Sequence, residues 1–373
     1  MNYYLLPTKN MSIVLNPIFS DQEINYISDS FIRNLKSLYC QVKEFETYYN
    51  TIIPTKTIND IHKINNIYSF VFDVISKDVE MYLNLAKNET NNQTFFIMIE
   101  MYNTFDFIKD VFDMYSSDIM YIGNTPETFQ TIIQYIQKTP PGLDQIKVTC
   151  NTLDQVYQYI YNGKHIENTG NHGFIFFDFD YEKNEIENIK NYTLYLLKSM
   201  YIALKTKQTC IIKIWEIIHK PIVDIIYMLT GIYKNVYICK PTTTQYQNDR
   251  FIICKDINNL YEIQENINKL ENNIISVIRY INEQYNTSTD SVDTTLYIQS
   301  LIENSLSQHF INKIEESTLI VGQKNIEYYE NLIMILKLYS KDDKLDSAKK
   351  NSIIKCAQWC SKNNIPIKTI YMI

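Results

Sequence analysis

Apolar residues recur along the chain with two different periods, and the changes of period divide it. From about Ser20 to Tyr49, Ile24, Ile27, Phe31, Leu35, Leu38 and Val42 fall on one face of a helix. Pro54 interrupts, and a second helical pattern runs from about Ile58 to Leu85. Together they predict a helical N-terminal extension, residues 1–93, packed against a sheet and carrying no catalytic constellation. An Asn-rich link, Asn88 to Gln93, follows it.

From Thr94 strands alternate with helices. FFIMIEMYNTF (Phe95 to Phe105) reads as an amphipathic helix, and IMYIG as a short strand ending in Gly123. Thr125 and Pro126 look like the N-cap and first-turn proline of a helix to about Gln137. Pro140, Pro141 and Gly142 make a turn before a strand, Ile146 to Cys150, and a helix to Tyr161. The stretch from Gly173 to Cys254 is the most regular: GFIFFDFDYEKNE, a helix with Ile186, Ile189, Leu196, Leu197, Met200 and Leu204 on its buried face, then the strand in TCIIKIWE. A helix opened by Pro221 leads to VYIC and FIIC, joined by KPTTTQYQNDR, a connection short enough to predict an antiparallel hairpin at the sheet edge.

This alternation predicts an α/β fold: a mainly parallel, Rossmann-like sheet over residues 94–256, with helices on both faces. Ligands in such sheets bind beyond the carboxyl ends of the strands, which puts Gly123 to Thr128 where a nucleotide-like cofactor would sit. Lys213 stands alone among apolar residues, so its amine is expected to reach the sheet's end. Residues 257–373 read as a helical C-terminal region, with helices near Asn259 to Glu283, Thr294 to Ile314, Gln323 to Tyr339 and Leu345 to Lys362, closed by Pro366.

Composition narrows the partners. The 373 residues carry a net charge of −7, so no global positive field draws in nucleic acid; DNA is not expected, and an RNA contact would be local. Lys198, Lys205, Lys207 and Lys220 could line such a groove or form a solvated helix face. Seven scattered cysteines, several in apolar strands, suggest reduced, buried thiols inside a cell. Cys356 and Cys360 share a helix face, without the further ligands a metal needs. Asp178, Asp180 and Glu182 in DFDYE read as a solvated strand end rather than a metal site, and no histidine has ligand spacing. The best apolar run, Ile222 to Tyr233, contains Asp224 and is too short to span a membrane, and the first residues lack a leader pattern. The expectation is a soluble protein that stays where it is made.

The order of these elements, with Lys213 late in the sheet and Lys240-Pro241 opening the last hairpin, resembles the FtsJ-like 2′-O-methyltransferases. It looks most like the branch in large DNA viruses that includes poxvirus-type cap methyltransferases. The resemblance covers Phe95 to Cys254, with a weaker echo in KCAQWCSKNNIP (Lys355 to Pro366). It implies a domain that binds S-adenosylmethionine and a Lys-Asp-Lys-Glu tetrad that activates a ribose hydroxyl, on RNA such as capped mRNA. It further implies a location in the host cytoplasm or the virion.

Carried over residue by residue, Lys213 in IIKIWE matches the central lysine. The tetrad aspartate is Asp178 by strand geometry, or Asn171 by a looser register through NTGNHG. Asp249 replaces the glutamate if one residue is deleted, and Gln245 stands where an arginine is expected. Ile97 occupies the place of the first lysine, for which Lys109 would need another alignment. The cofactor residues fall on Gly123, Asn124, Pro126, Glu127 and Thr128, and the family's Pro-Gly-Gly-Phe becomes Pro126, Glu127, Thr128, Phe129. Side chains then stand where backbone should approach the cofactor, and Glu127 brings a negative charge near its carboxylate. The resulting expectation is a homologue whose catalytic set is degenerate. The alternatives are an active RNA 2′-O-methyltransferase using Lys213 and Asp178, and a pseudoenzyme that binds an active enzyme or a virion partner.

Overall fold

The chain begins with strands as well as helices. In the computed structural model, β1 (Asn2–Leu5) and β2 (Leu15–Ser20) precede α1 (Asp29–Ile52). The structure describes residues 2–8, 15–20, 29–52, 61–79, 89–105, 118–123, 129–133, 135, 147–162, 172–178, 185–215, 217–244, 249–257, 260–287, 297–303, 305–337 and 342–371. The expectation of a purely helical N-terminal segment is corrected here: β1 pairs antiparallel with a strand of the main sheet, and its exposure alternates residue by residue, as an edge strand's does. The second helical pattern breaks into short turns. A 3-10 turn at Ile67–Phe70, capped by the Asn66 side chain, runs into α2 (Val71–Val74).

The Thr94 region folds as α3 (Glu89–Phe105), β3 (Asp118–Ile122), β4 (Lys147–Asn151), α4 (Leu153–Tyr161), β5 (His172–Phe177), α5 (Glu185–Thr206), β6 (Thr209–Ile214), α6 (Lys220–Ile232), β7 (Tyr233–Lys240) and β8 (Arg250–Ile257). The strands form one seven-stranded sheet in the order β1-β7-β8-β6-β5-β3-β4. β3 is parallel to β4 and to β5, and β5 to β6. β8 runs antiparallel to both β6 and β7, so β7 is parallel to β6. The VYIC–FIIC hairpin forms as expected, but not at the edge: β8 turns back into the sheet, and β1 covers the outer side of β7.

Both faces of the sheet are buried along its central strands, which is why those strands read as apolar runs. On one face Met120, Ile122, Ile175, Phe177, Ile212 and Ile252 pack under α4, α5 and α6. On the other, Ile119, Tyr121, Phe174, Phe176, Ile211 and Phe251 pack with α3, the helical residues 129–133 and the last helix. Each fully buried Ile, Leu or Phe contributes about 1.5–3 kcal/mol of transfer free energy. Residues 221–232 of α6 are buried all round, because the far side of that helix is also covered.

The C-terminal region holds α7 (Leu260–Thr287), β9 (Tyr297–Ile302), α8 (Gln308–Lys337) and α9 (Asp342–Lys362), of which β9 and the start of α8 cover α6. The helix expected from Thr294 to Ile314 is corrected. Residues 297–302 are a strand that pairs antiparallel with β2, because the ribbon gives its N–H groups to a buried acceptor on α6. The helix expected at Gln323 to Tyr339 is the second half of the 30-residue α8. Phe310 of α8 meets Tyr227 of α6 edge-on at 4.8 Å.

Cys210, Cys239, Cys254, Cys356 and Cys360 are buried, Cys150 is half-buried and Cys40 is exposed. Burial pushes the Cys239 and Cys254 thiols well up, and the contact with Cys360, then burial, does the same to Cys356. With a chromogenic disulfide reagent, Cys40 is expected to react at once and Cys150 more slowly. The five buried thiols should appear only on unfolding, and fast release of all seven in the native protein would contradict this packing.

Candidate active site

Strand alternation alone aims three charged side chains at one place. Asp178 follows β5 with the parity of Phe174 and Phe176, and Lys213 has the parity of Ile211. Asp249 immediately precedes β8 and continues the parity of Phe251, which pairs with Lys213. β5 and β6 are parallel whereas β8 runs the other way, so the carboxyl ends of the first two meet the amino end of the third. Here the structure brings together Asp178, Lys213 and Asp249. The Lys213 Nζ is 3.1 Å from Asp178 Oδ1 and 4.0 Å from Asp249 Oδ2.

The second oxygen of Asp178 is also engaged: the Tyr121 hydroxyl donates to Oδ2 at 2.9 Å. Asp178 is thereby fixed from β3 and from β6, and the pair is well shielded, with side-chain exposures of 16% for Lys213 and 6% for Asp178. The Asp249 carboxylate is more open, at 26%. Below the centre lies an aromatic floor in which Tyr121 stacks on Phe129 at 4.7 Å and on Phe176 at 5.9 Å, and Phe176 on Phe251 at 6.2 Å. Stacked rings hold the tyrosine in one orientation, and hence its hydroxyl against the carboxylate.

β3 and β5 are also where the winding of the sheet reverses. From β3 the chain moves outward to β4; from β5 it moves the other way, to β6 and on to β7. The crevice beyond the carboxyl ends of two such strands is the usual ligand position in an open α/β sheet. It is bounded here by Gly123 and by Asp178, whose N–H bonds Ile122 O at 2.8 Å. A Cβ on Gly123 would lie 2.6 Å from the Tyr121 hydroxyl and 2.7 Å from the Asp178 carbonyl oxygen. Gly123→Ala is therefore expected to displace Tyr121 and Asp178 and to cost about 1–3 kcal/mol in denaturant unfolding. A variant as stable as the parent would contradict this geometry.

The other expected positions fare differently. Ile97, at the place of the family's first lysine, is buried in the core against the sheet. The same helix places Glu100 one turn on, where its carboxylate accepts the Thr242 N–H at 2.9 Å and the Thr242 hydroxyl at 2.5 Å. α3 thus anchors the start of the hairpin connection instead of supplying a cation. Asn124, Thr125, Pro126, Glu127, Thr128, Asn171, Lys109, Gln245, Asp180 and Glu182 lie outside the described residues.

Three of the four lysines of the supposed basic groove are tied to carboxylates. Lys198 binds Asp154 at 2.6 Å, Lys205 binds Glu271 at 2.5 Å and Lys220 binds Asp224 at 2.7 Å. Among the described residues no group of three or more His, Cys, Asp or Glu is placed to hold a metal, and no helix is long and apolar enough to cross a membrane.

Sequence reasoning missed Tyr121 and Glu100, and met Lys240 only as part of the Lys-Pro pair that opens the hairpin. Tyr121 had a usable signal, since its parity puts it on the face of Asp178. Glu100 had none, because it acts on the hairpin connection across a distance that the local pattern does not encode. Among models of known protein families none matches this chain, and no curated protein is significantly similar to it.

Proposed function

We propose that the chain is an FtsJ-like ribose 2′-O-methyltransferase homologue in which Lys213, Asp178 and Asp249 form the reactive centre and RNA is the substrate. One observation carries the reading: a lysine amine lies between two carboxylates at the carboxyl end of the sheet, next to the crevice where the winding reverses. The β8 strand running back between β6 and β7 also agrees with the resemblance. Three residues that the resemblance assigns to the four-residue set lie close to one another although the sequence departs from the family elsewhere, and this supports the active form over the degenerate one.

The chemistry follows from position. The Lys213 ammonium stabilises negative charge growing on a ribose 2′-oxygen, and Asp178 holds that ammonium in place with help from Tyr121. Asp249, the more exposed carboxylate, is placed to take the hydroxyl proton. S-adenosylmethionine, when bound, supplies the methyl group. The bare Gly123 backbone packs against the Tyr121 hydroxyl and the Asp178 carbonyl, so the cofactor would meet the crevice beyond these residues.

A specific observation favours a second reading, a binding module without catalysis: α3 offers the apolar Ile97 where the family has a lysine. Transfer of labelled methyl from S-adenosylmethionine to capped RNA, followed by digestion to nucleosides, separates the two. Label in ribose 2′-O-methyl nucleosides is the expected result. Label confined to bases, or no transfer at all, would overturn the proposal.

A further inference from the structure

Lys240 is an unusual residue to find at the end of β7. Its exposure is 2%, and a lysine is seldom buried this far without a task for its amine. The amine donates to the main-chain carbonyl oxygen of Asp249 at 2.9 Å, closing the hairpin connection from one end to the other. Thr244 leans on the same carbonyl more weakly, its hydroxyl 3.5 Å away. A methionine would fill the same space without the cost of burying an ammonium, so a packing role alone does not account for the residue. Burial, then the neighbouring Arg250 cation, pushes the Lys240 amine well below the usual lysine range, with Lys324 acting in the same sense and Asp249 opposing them.

We infer that Lys240 is a positioning residue of the reactive centre: by holding the Asp249 carbonyl it fixes where the connection ends, and so aims the Asp249 carboxylate at Lys213. The geometry requires some such device. Asp249 lies just outside β8, beyond the first β6–β8 backbone pair at Ile214 and Arg250, so the ladder does not set its place. Buried beneath the connection, Lys240 acts on the centre through its bond to the Asp249 carbonyl. The significance of this role rests on the proposed reading of the centre, and its test is chosen to run without methyl transfer.

The test uses reductive methylation with labelled formaldehyde, reading the titration of the Lys213 dimethylamine by carbon NMR, with the resonance assigned by its loss in Lys213→Arg. Asp249→Asn removes a nearby negative charge and lowers the Lys213 midpoint. If Lys240 positions that carboxylate, Lys240→Met lowers the midpoint in the same direction, and the double variant goes no further than Asp249→Asn alone. Lys240→Gln, which keeps a polar group but shortens the reach, gives the same reading should the methionine variant fail to fold. Lys240→Arg should restore most of the parent midpoint. A midpoint unmoved in the folded Lys240 variants, or shifts that simply add in the double variant, would overturn the inference whether or not the protein transfers methyl groups.

Discussion

Asp224→Ala is expected to lower the unfolding free energy by about 3–5 kcal/mol. The carboxylate is fully buried in α6 and gathers donors from three directions. Its Oδ1 takes the Lys220 amine at 2.7 Å, while its Oδ2 takes the Ser300 hydroxyl at 2.9 Å and the Leu301 and Ile302 N–H groups at 2.8 and 3.3 Å. Alanine would leave two backbone N–H groups without their acceptor in a dry site, each costing about 1–3 kcal/mol, while the Ser300 hydroxyl keeps the Ile302 carbonyl. Lys220→Met is the informative comparison. It removes one donor but leaves the others on the carboxylate, so a smaller loss, about 1.5–3 kcal/mol, is expected. Denaturant midpoints give the magnitudes, and hydrogen exchange at Leu301 and Ile302 shows whether β9 has come loose from α6. An Asp224→Ala midpoint indistinguishable from the parent's would show that the ribbon is held by something else.

The second large effect is on rate. Lys213→Ala is expected to slow methyl transfer by roughly 10²–10⁴-fold in single turnover, the usual range when a positioned group of this kind is removed. On the proposed reading the cofactor dissociation constant should change little, because the lysine would face the hydroxyl rather than the crevice beside Gly123. Asp249→Asn should also slow transfer, since the hydroxyl proton loses the carboxylate placed to receive it. Asp178→Asn differs in kind: it breaks a shielded ion pair and weakens the Tyr121 hydrogen bond, so rate and stability fall together. Lys213→Ala transferring at the parent rate would remove the lysine from the chemistry.

The sheet was legible in the sequence to the extent that burial on both faces leaves a trace. The runs around Phe174 to Phe177 and Cys210 to Ile214 are apolar at every step because helices cover both sides, and the polar residues that end them mark the site. Asp178 was within reach of strand geometry, because period-two alternation survives where a strand ends, whereas Lys213 and Asp249 were matched through the resemblance, Asp249 with one residue deleted. What stayed illegible was non-local. The strand at Leu15–Ser20 owes its state to Tyr297–Ile302, far along the chain, and no local period announces such a partner. Asp224 stood out only as a flaw in an apolar run, since its donors come from Ser300 to Ile302. The helical pattern around Thr294 to Ile314 was genuine in its second half, where α8 begins, and false in its first, where the ribbon's pairing overrides it.

The most direct measurement is calorimetric titration of the parent protein and of Lys213→Ala with S-adenosylmethionine. A crevice between the ends of β3 and β5 that feeds a separate reactive lysine predicts saturable one-site binding in both, with closely similar affinity. No saturable heat in the parent protein would contradict it.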